Sequence, residues 1–212
     1  EKFVSKSLLT LLLSLWASQA WSVEEQAMGV QRDLDFKVFV NDREVGRHQF
    51  VLLEQGNSVQ VSSKMSLDFK VLMIKRVTYL HEASEVWELG CLASVQSATE
   101  KQGKLFSVDA KADDSGLVIQ RQQEVDVIPG CVRGFAYWNA DWLQGDHLLN
   151  AESGIYVPVE ISSRLSEQDN ITHMTIATPK ADIHLQYSAA GDWLSLQTEL
   201  LIGGTLRYQR VF

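Results

Sequence analysis

The stretch Asp33-Leu34-Asp35-Phe36-Lys37-Val38-Phe39-Val40-Asn41-Asp42 decides the fold. Leu34, Phe36, Val38 and Val40 alternate with Asp33, Asp35, Lys37 and Phe39. A period of two sends successive side chains to opposite faces, so this reads as a strand with an apolar face and a largely polar one. Asn41-Asp42 then supplies turn chemistry, since short polar side chains satisfy and tolerate a tight reversal. Residues 45–54 read as the return strand of a hairpin.

The same grammar extends outward. After Gln55-Gly56-Asn57, the residues Met65, Leu67, Phe69, Val71 and Met73 continue the alternation on a long strand. Residues 77–87 form the next, and Leu89-Gly90 turns the chain into residues 91–99. Gln102-Gly103 and Asp113-Asp114-Ser115-Gly116 separate the strands that follow. Pro129-Gly130 breaks the series, and residues 135–143 are aromatic-rich and lack alternation, which predicts one or two helical turns lying across the sheet. Strand patterns resume over 155–165, 172–178, 182–188, 193–201 and 205–211. The total is about a dozen strands, too many for a flat sheet. The expectation is a mostly β single domain over residues 23–212. It is an antiparallel meander forming a strongly curved sheet or partly open barrel, with one or two short helices and a two-sheet sandwich as the alternative.

Residues 1–22 read differently. Lys2 and Lys6 precede an apolar run of about nine residues, and Ala17-Ser18-Gln19-Ala20 supplies small residues for cleavage. That order predicts a signal peptide cut after Ala20 or Ser22, and hence a periplasmic protein. A run of about nine residues is too short to span a bilayer as a helix, which needs roughly 20. Without Lys2, Lys6 and Glu1 the net charge moves from −8 to about −9. An acidic chain with scattered charges has no electrostatic footprint for nucleic acid and no attraction to an anionic membrane surface.

The chain has two cysteines, Cys91 and Cys131. In a cytosolic setting they would be separate thiols; in an exported chain an even, small number points to a disulfide. Each follows a turn glycine, Gly90 and Gly130, where strand ends can approach. The five His residues show no H-x-H or H-x-x-x-H spacing, so no metal site is expected. No phosphate-binding glycine loop, dinucleotide fingerprint or G-x-S-x-G is present, so no cofactor is expected either.

The most suggestive chemistry lies near residue 80. Tyr79, His81, Glu85 and Trp87 share one strand face with Ala83, an unusual mixture for a plain core. Phe135, Tyr137, Trp138 and Trp142 place four large aromatics within eight residues. Such a cluster either plugs a curved sheet or lines an apolar site. The candidate ligand-binding residues are therefore Tyr79, His81, Glu85, Trp87, Tyr137 and Trp138, with the two segments facing one another across one concave surface. No residue is assigned a catalytic role.

The ordered set Tyr79-x-His81, Glu85-x-Trp87, Gly90-Cys91-Leu92, Pro129-Gly130-Cys131, Phe135-Ala136-Tyr137-Trp138-Asn139 and Leu148-Leu149-Asn150 resembles an exported bacterial family of unknown function. The resemblance covers roughly residues 33–210. It implies a periplasmic, sheet-rich single domain with both cysteines belonging to the pattern, and it supplies no activity or substrate. Three functions remain in competition: non-enzymatic binding of an apolar or lipid-like small molecule, an envelope interaction module without a small-molecule site, and a hydrolase or isomerase using His81 or Cys131.

Overall fold

The computed structural model describes residues 29–71, 75–201 and 203–212. The signal peptide expected over residues 1–22, and Met73 of the predicted third strand, lie outside the described residues. The first meander runs through β1 (Val30–Val40), β2 (Arg43–Gln55), β3 (Ser58–Val71), β4 (Lys75–Glu88), β5 (Cys91–Lys101), β6 (Lys104–Asp113), β7 (Gly116–Arg121) and β8 (Glu124–Ile128). A short hairpin of β9 (His147–Asn150) and β10 (Ile155–Pro158) follows. A second meander consists of β11 (Glu160–Ser166), β12 (Ile171–Ala177), β13 (Asp182–Tyr187), β14 (Trp193–Glu199) and β15 (Thr205–Val211).

β15 pairs antiparallel with β1 and fuses the two meanders into one 13-stranded sheet, ordered β11-β12-β13-β14-β15-β1-β2-β3-β4-β5-β6-β7-β8. This is the curved-sheet form of the expected meander and not the sandwich. Its apolar face matches the sequence alternation: Leu34, Phe36 and Val38 of β1 are buried, and so are Val59, Val61, Met65, Leu67 and Phe69 of β3.

The segment from Pro129 to Val159 explains why the sheet curls. Its Val132, Ala136, Trp138, Leu143, Leu148 and Leu149 are all buried. The Leu92 N–H of β5 donates to the Val132 carbonyl at 2.8 Å, and the Tyr187 hydroxyl of β13 donates to the Tyr137 carbonyl at 2.9 Å. β5 and β13 lie seven positions apart in the sheet, so one short segment reaches both only if the sheet wraps around it. The burial of its aromatic and aliphatic side chains, each worth roughly 1.5–3 kcal/mol, supplies the reason for the wrapping.

One local expectation is met and one is corrected. The aromatic segment forms one 3-10 turn, Ala140–Trp142, with the Asn139 side chain accepting from the Asp141 N–H, and the rest is a chain of tight turns. Residues 155–165 are not one strand: the chain changes sheets at Pro158, after which β11 pairs with β12. Proline has no N–H to donate to a ladder, so it marks a natural place to end pairing. Among the described residues no helix is long and apolar enough to cross a membrane.

The edge strand β8 carries its own guard. Its Asp126 lies opposite the buried Ile119 and is paired with Arg121. An inward-facing charge on an edge strand discourages pairing with another chain.

Candidate functional site

The register lines up one row of inner-face residues across six strands. Phe36 of β1 pairs with His48 of β2, His48 with Met65 of β3, and Met65 with His81 of β4. His81 pairs with Thr99 of β5, and Thr99 with Phe106 of β6. Two imidazoles thus sit in a row that strand alternation points into the interior. His81 Nδ1 is 2.8 Å from Thr99 Oγ1, and His48 Nδ1 is 3.1 Å from the Tyr208 hydroxyl of β15. The Tyr208 hydroxyl also approaches Met65 Sδ at 3.4 Å. His48 Nε2 is buried with no hydrogen-bond partner among the described residues.

The connecting segment adds an acid to this face. The turn between β9 and β10 is fixed by Asn150, whose Oδ1 accepts from the N–H groups of Glu152 at 2.9 Å and Ser153 at 3.1 Å. Ser97 Oγ of β5 donates to the Ala151 carbonyl at 2.6 Å, which docks the turn onto the sheet. Gly154 closes it with φ +66°, and a Cβ there would lie 2.6 Å from Arg121 Cδ. Glycine meets both demands, since it reaches positive φ freely and has no side chain to clash. Glu152 then lies beside Tyr79, near enough that its charge is felt at His81 and Tyr208 as well.

Burial sets the protonation states. It drives the His48 imidazole down to about 3, with the neighbouring His81 adding to the effect. Burial also lowers His81, against an opposing pull from Glu152. Both imidazoles are therefore neutral near pH 7. The phenols of Tyr79, Tyr137, Tyr187 and Tyr208 are all pushed well above their usual range, chiefly by burial. These imidazoles and phenols can donate and accept hydrogen bonds as neutral groups.

Glu152 also opens onto a hollow of about 900 Å³ at one end of the curled sheet. Its walls include Lys101, Phe106, Val108, Arg121 and Ser153. Phe106 is 41% exposed there, although it belongs to the inner row. Arg121 is held by Glu124 and Asp126. The volume lies in the range of small-molecule sites, roughly 300–1,000 Å³.

The six residues singled out from sequence fall into two groups. Tyr79, His81 and Tyr137 belong to the polar cluster. Glu85, Trp87 and Trp138 lie toward the other end, beside the disulfide. Trp87 is 1% exposed and meets Trp138 edge-on at 5.7 Å and Trp142 in a stack at 5.3 Å. The strand around residue 80 and the aromatic segment thus meet directly, with the tryptophans filling core. Sequence reading missed His48, Thr99, Glu152 and Tyr208. His48 and Tyr208 sit at alternating inner positions of strands that the sequence does reveal, but nothing local indicates that β2 and β15 converge. Glu152 carries no signal at all, being a lone acid in a turn.

Cys91 and Cys131 form a disulfide, with Cα atoms 5.2 Å apart. Among the described residues no cysteine is free, so a Cys131 nucleophile served by His81 has no thiol to act through. Among the same residues no group of three or more His, Cys, Asp or Glu is placed to hold a metal ion.

Glu85 adds a pH dependence. Its carboxylate accepts from Trp87 Nε1 at 2.8 Å, yet burial raises it from 4.5 to about 7. A raised acid favours the folded state at low pH. Its contribution is complete below about 4.5 and is lost as pH rises through 7, a difference of about 3 kcal/mol. Glu85→Gln is expected to remove that decline, so chemical denaturation at pH 5 and pH 8 should give more similar stabilities in the variant than in the parent. An unchanged difference would place the cause elsewhere. His48 acts with the opposite sign. A depressed imidazole favours the folded state above about 6.5, and this is lost as pH falls toward 3. His48→Phe should therefore flatten the acid limb of the same stability profile.

The chain belongs to a family defined by a domain of unknown function (DUF6134), matched over residues 36–211. In three dimensions it is similar to the crystal structure of a β-barrel-like protein of the domain of unknown function DUF1849 from Brucella abortus. That similarity has a TM-score of 0.56 at 11% sequence identity and covers 87% of this chain and 96% of the other. At that identity it establishes the barrel-like fold and nothing about activity. No curated protein matches this chain in sequence.

Proposed function

We propose that this protein is an exported, periplasmic, non-enzymatic binding protein that takes an apolar or lipid-like small molecule into its curled sheet. The observation that carries the reading is the hollow of about 900 Å³, with exposed Phe106 on its wall and Glu152 joining it to the buried cluster of Tyr79, His81 and Tyr208. An apolar wall beside a few convergent polar groups is the usual composition of a small-molecule site.

The test is to purify the protein from an envelope fraction, extract it with organic solvent and identify what is released by mass spectrometry. A ligand near one per chain is expected, with most of it lost in Phe106→Glu, which sets a charge in the hollow. Ligand-free protein that also fails to bind an apolar fluorescent dye would overturn the reading. Intact-mass analysis of the same sample tests export: the chain should start at Trp21 or Val23, and an uncleaved cytoplasmic product would remove the periplasmic assignment.

One observation favours the interaction-module reading. A groove of about 960 Å³ crosses the outer face of β1–β6, with Asp33, Gln49, Ser62, Lys64, Glu82 and Gln96 in its lining. The lining is mostly polar side chains on solvated strands. The inner hollow is preferred because it opens on the interior of the curled sheet, with Val108 buried on its wall and Arg121 Nε there buried without a hydrogen-bond partner among the described residues.

A further inference from the structure

We infer that His48, Met65 and His81 form a binding site for one copper(I) ion on the inner face of the sheet. The three residues are consecutive in one cross-strand row, with His48 of β2 opposite Met65 of β3 and Met65 opposite His81 of β4. Directly opposite residues have Cβ atoms about 5 Å apart, so an imidazole on either side of a thioether lies within reach of a single ion. Met65 and His81 each keep 8% of their surface exposed and His48 keeps 9%, whereas Phe36 and Thr99 of the same row keep 0% and 1%. The row is therefore not sealed where these three stand. No spacing along the chain reveals the set, because its members come from three strands that only the register brings together.

Hydrogen bonds hold the donor atoms ready. The Tyr208 hydroxyl donates to Met65 Sδ at 3.4 Å, so its oxygen is left to accept from the His48 Nδ1–H at 3.1 Å. That fixes the His48 proton on Nδ1 and makes Nε2 a bare lone pair. Nε2 is buried and has no hydrogen-bond partner among the described residues, a cost that a bound ion removes. His81 is tethered in the same way through Nδ1, 2.8 Å from Thr99 Oγ1, which leaves its Nε2 as the nitrogen for an ion. One ring nitrogen in a hydrogen bond and the other on the metal is the usual arrangement of a ligating histidine. The donor set selects the ion. A thioether is a soft ligand that favours copper(I), and imidazole also suits copper. The three ligands are neutral, and burying charge among neutral groups costs less for a singly charged ion than for zinc(II).

The experiment is an anaerobic titration of the full exported chain with copper(I) in competition with the chelator bicinchoninate, followed by X-ray absorption at the copper edge. One ion per chain is expected, with nitrogen and sulfur neighbours, and zinc(II) should bind about tenfold more weakly or worse. Among the described residues no cysteine is free, so a sulfur neighbour identifies a methionine. Met65→Leu nearly conserves volume and should keep the fold. It should lose the sulfur neighbour and weaken copper(I) binding by about tenfold or more. Tyr208→Phe removes the hydroxyl that orients both His48 and Met65, and it should also cost about tenfold, the usual loss for an outer-shell partner. Absence of copper(I) uptake by the parent protein would overturn the assignment without needing any variant. So would uptake that Met65→Leu leaves unchanged, a spectrum without sulfur, or zinc(II) binding as tight as copper(I). None of these outcomes bears on the apolar hollow, which has its own test.

Discussion

Replacing Trp87 by Ala is expected to lower the unfolding free energy by about 3–5 kcal/mol, the range for truncating a large buried aromatic. Trp87 is 1% exposed and packs on both Trp138 and Trp142, so its removal opens a cavity between β4 and the connecting segment. The same change removes the Nε1 donor to Glu85. An unpaired buried polar group adds about 1–3 kcal/mol to the cost. Trp87→Phe separates the two effects, because it keeps most of the packing and loses only the donor. The Trp87 hydrogen bond favours the charged form of Glu85. Its loss should push that carboxyl higher, so Trp87→Phe should cost more at pH 8 than at pH 5. Denaturant titrations at both pH values check this, and a cost independent of pH would mean that the indole N–H has no bearing on Glu85.

Breaking the Cys91–Cys131 disulfide by Cys91→Ala with Cys131→Ala should cost up to about 4 kcal/mol, the chain-entropy expectation for a loop of this length. The two residues are 40 apart in sequence, and the bond ties the start of β5 to the start of the connecting segment. Its position makes the loss more than a matter of chain entropy. The Leu92 N–H bonds to Val132 immediately beyond the bridge, and Trp142 packs over the Gly90 turn immediately before it. Reduction should therefore loosen the tryptophan-rich end first. Trp142 packs against this turn, so fluorescence of the reduced protein should change before the far-ultraviolet sheet signal does. Simultaneous loss of both signals would show that the bridge supports the whole sheet as one cooperative unit.

These two predictions concern the end of the molecule that the sequence described best. Cys91, Trp87 and Trp138 stand out as residues, and a turn glycine precedes each cysteine. The opposite end was only half legible. Tyr79 and His81 were found because they share a face within one strand. His48 and Tyr208 are 160 residues apart, and they meet because β15 pairs with β1 and β1 with β2.

What the sequence determined by itself is local: a period of two, turn residues at regular intervals, and an interruption rich in aromatics after Pro129. Those follow from backbone sterics and from alternate burial on a pleated strand, and neither depends on distant residues. The joining of two meanders through β15 and β1, the change of sheets at Pro158, and the placing of Glu152 against Tyr79 belong to the tertiary structure. They were decided by which apolar faces could be buried together around the segment from Pro129 to Val159. That is a property of the whole chain, because hydrophobic burial is non-directional and rewards any arrangement that covers the same area. Only backbone register and the fixed reach of the connecting segment choose among such arrangements, and both act between residues that no short stretch of sequence contains.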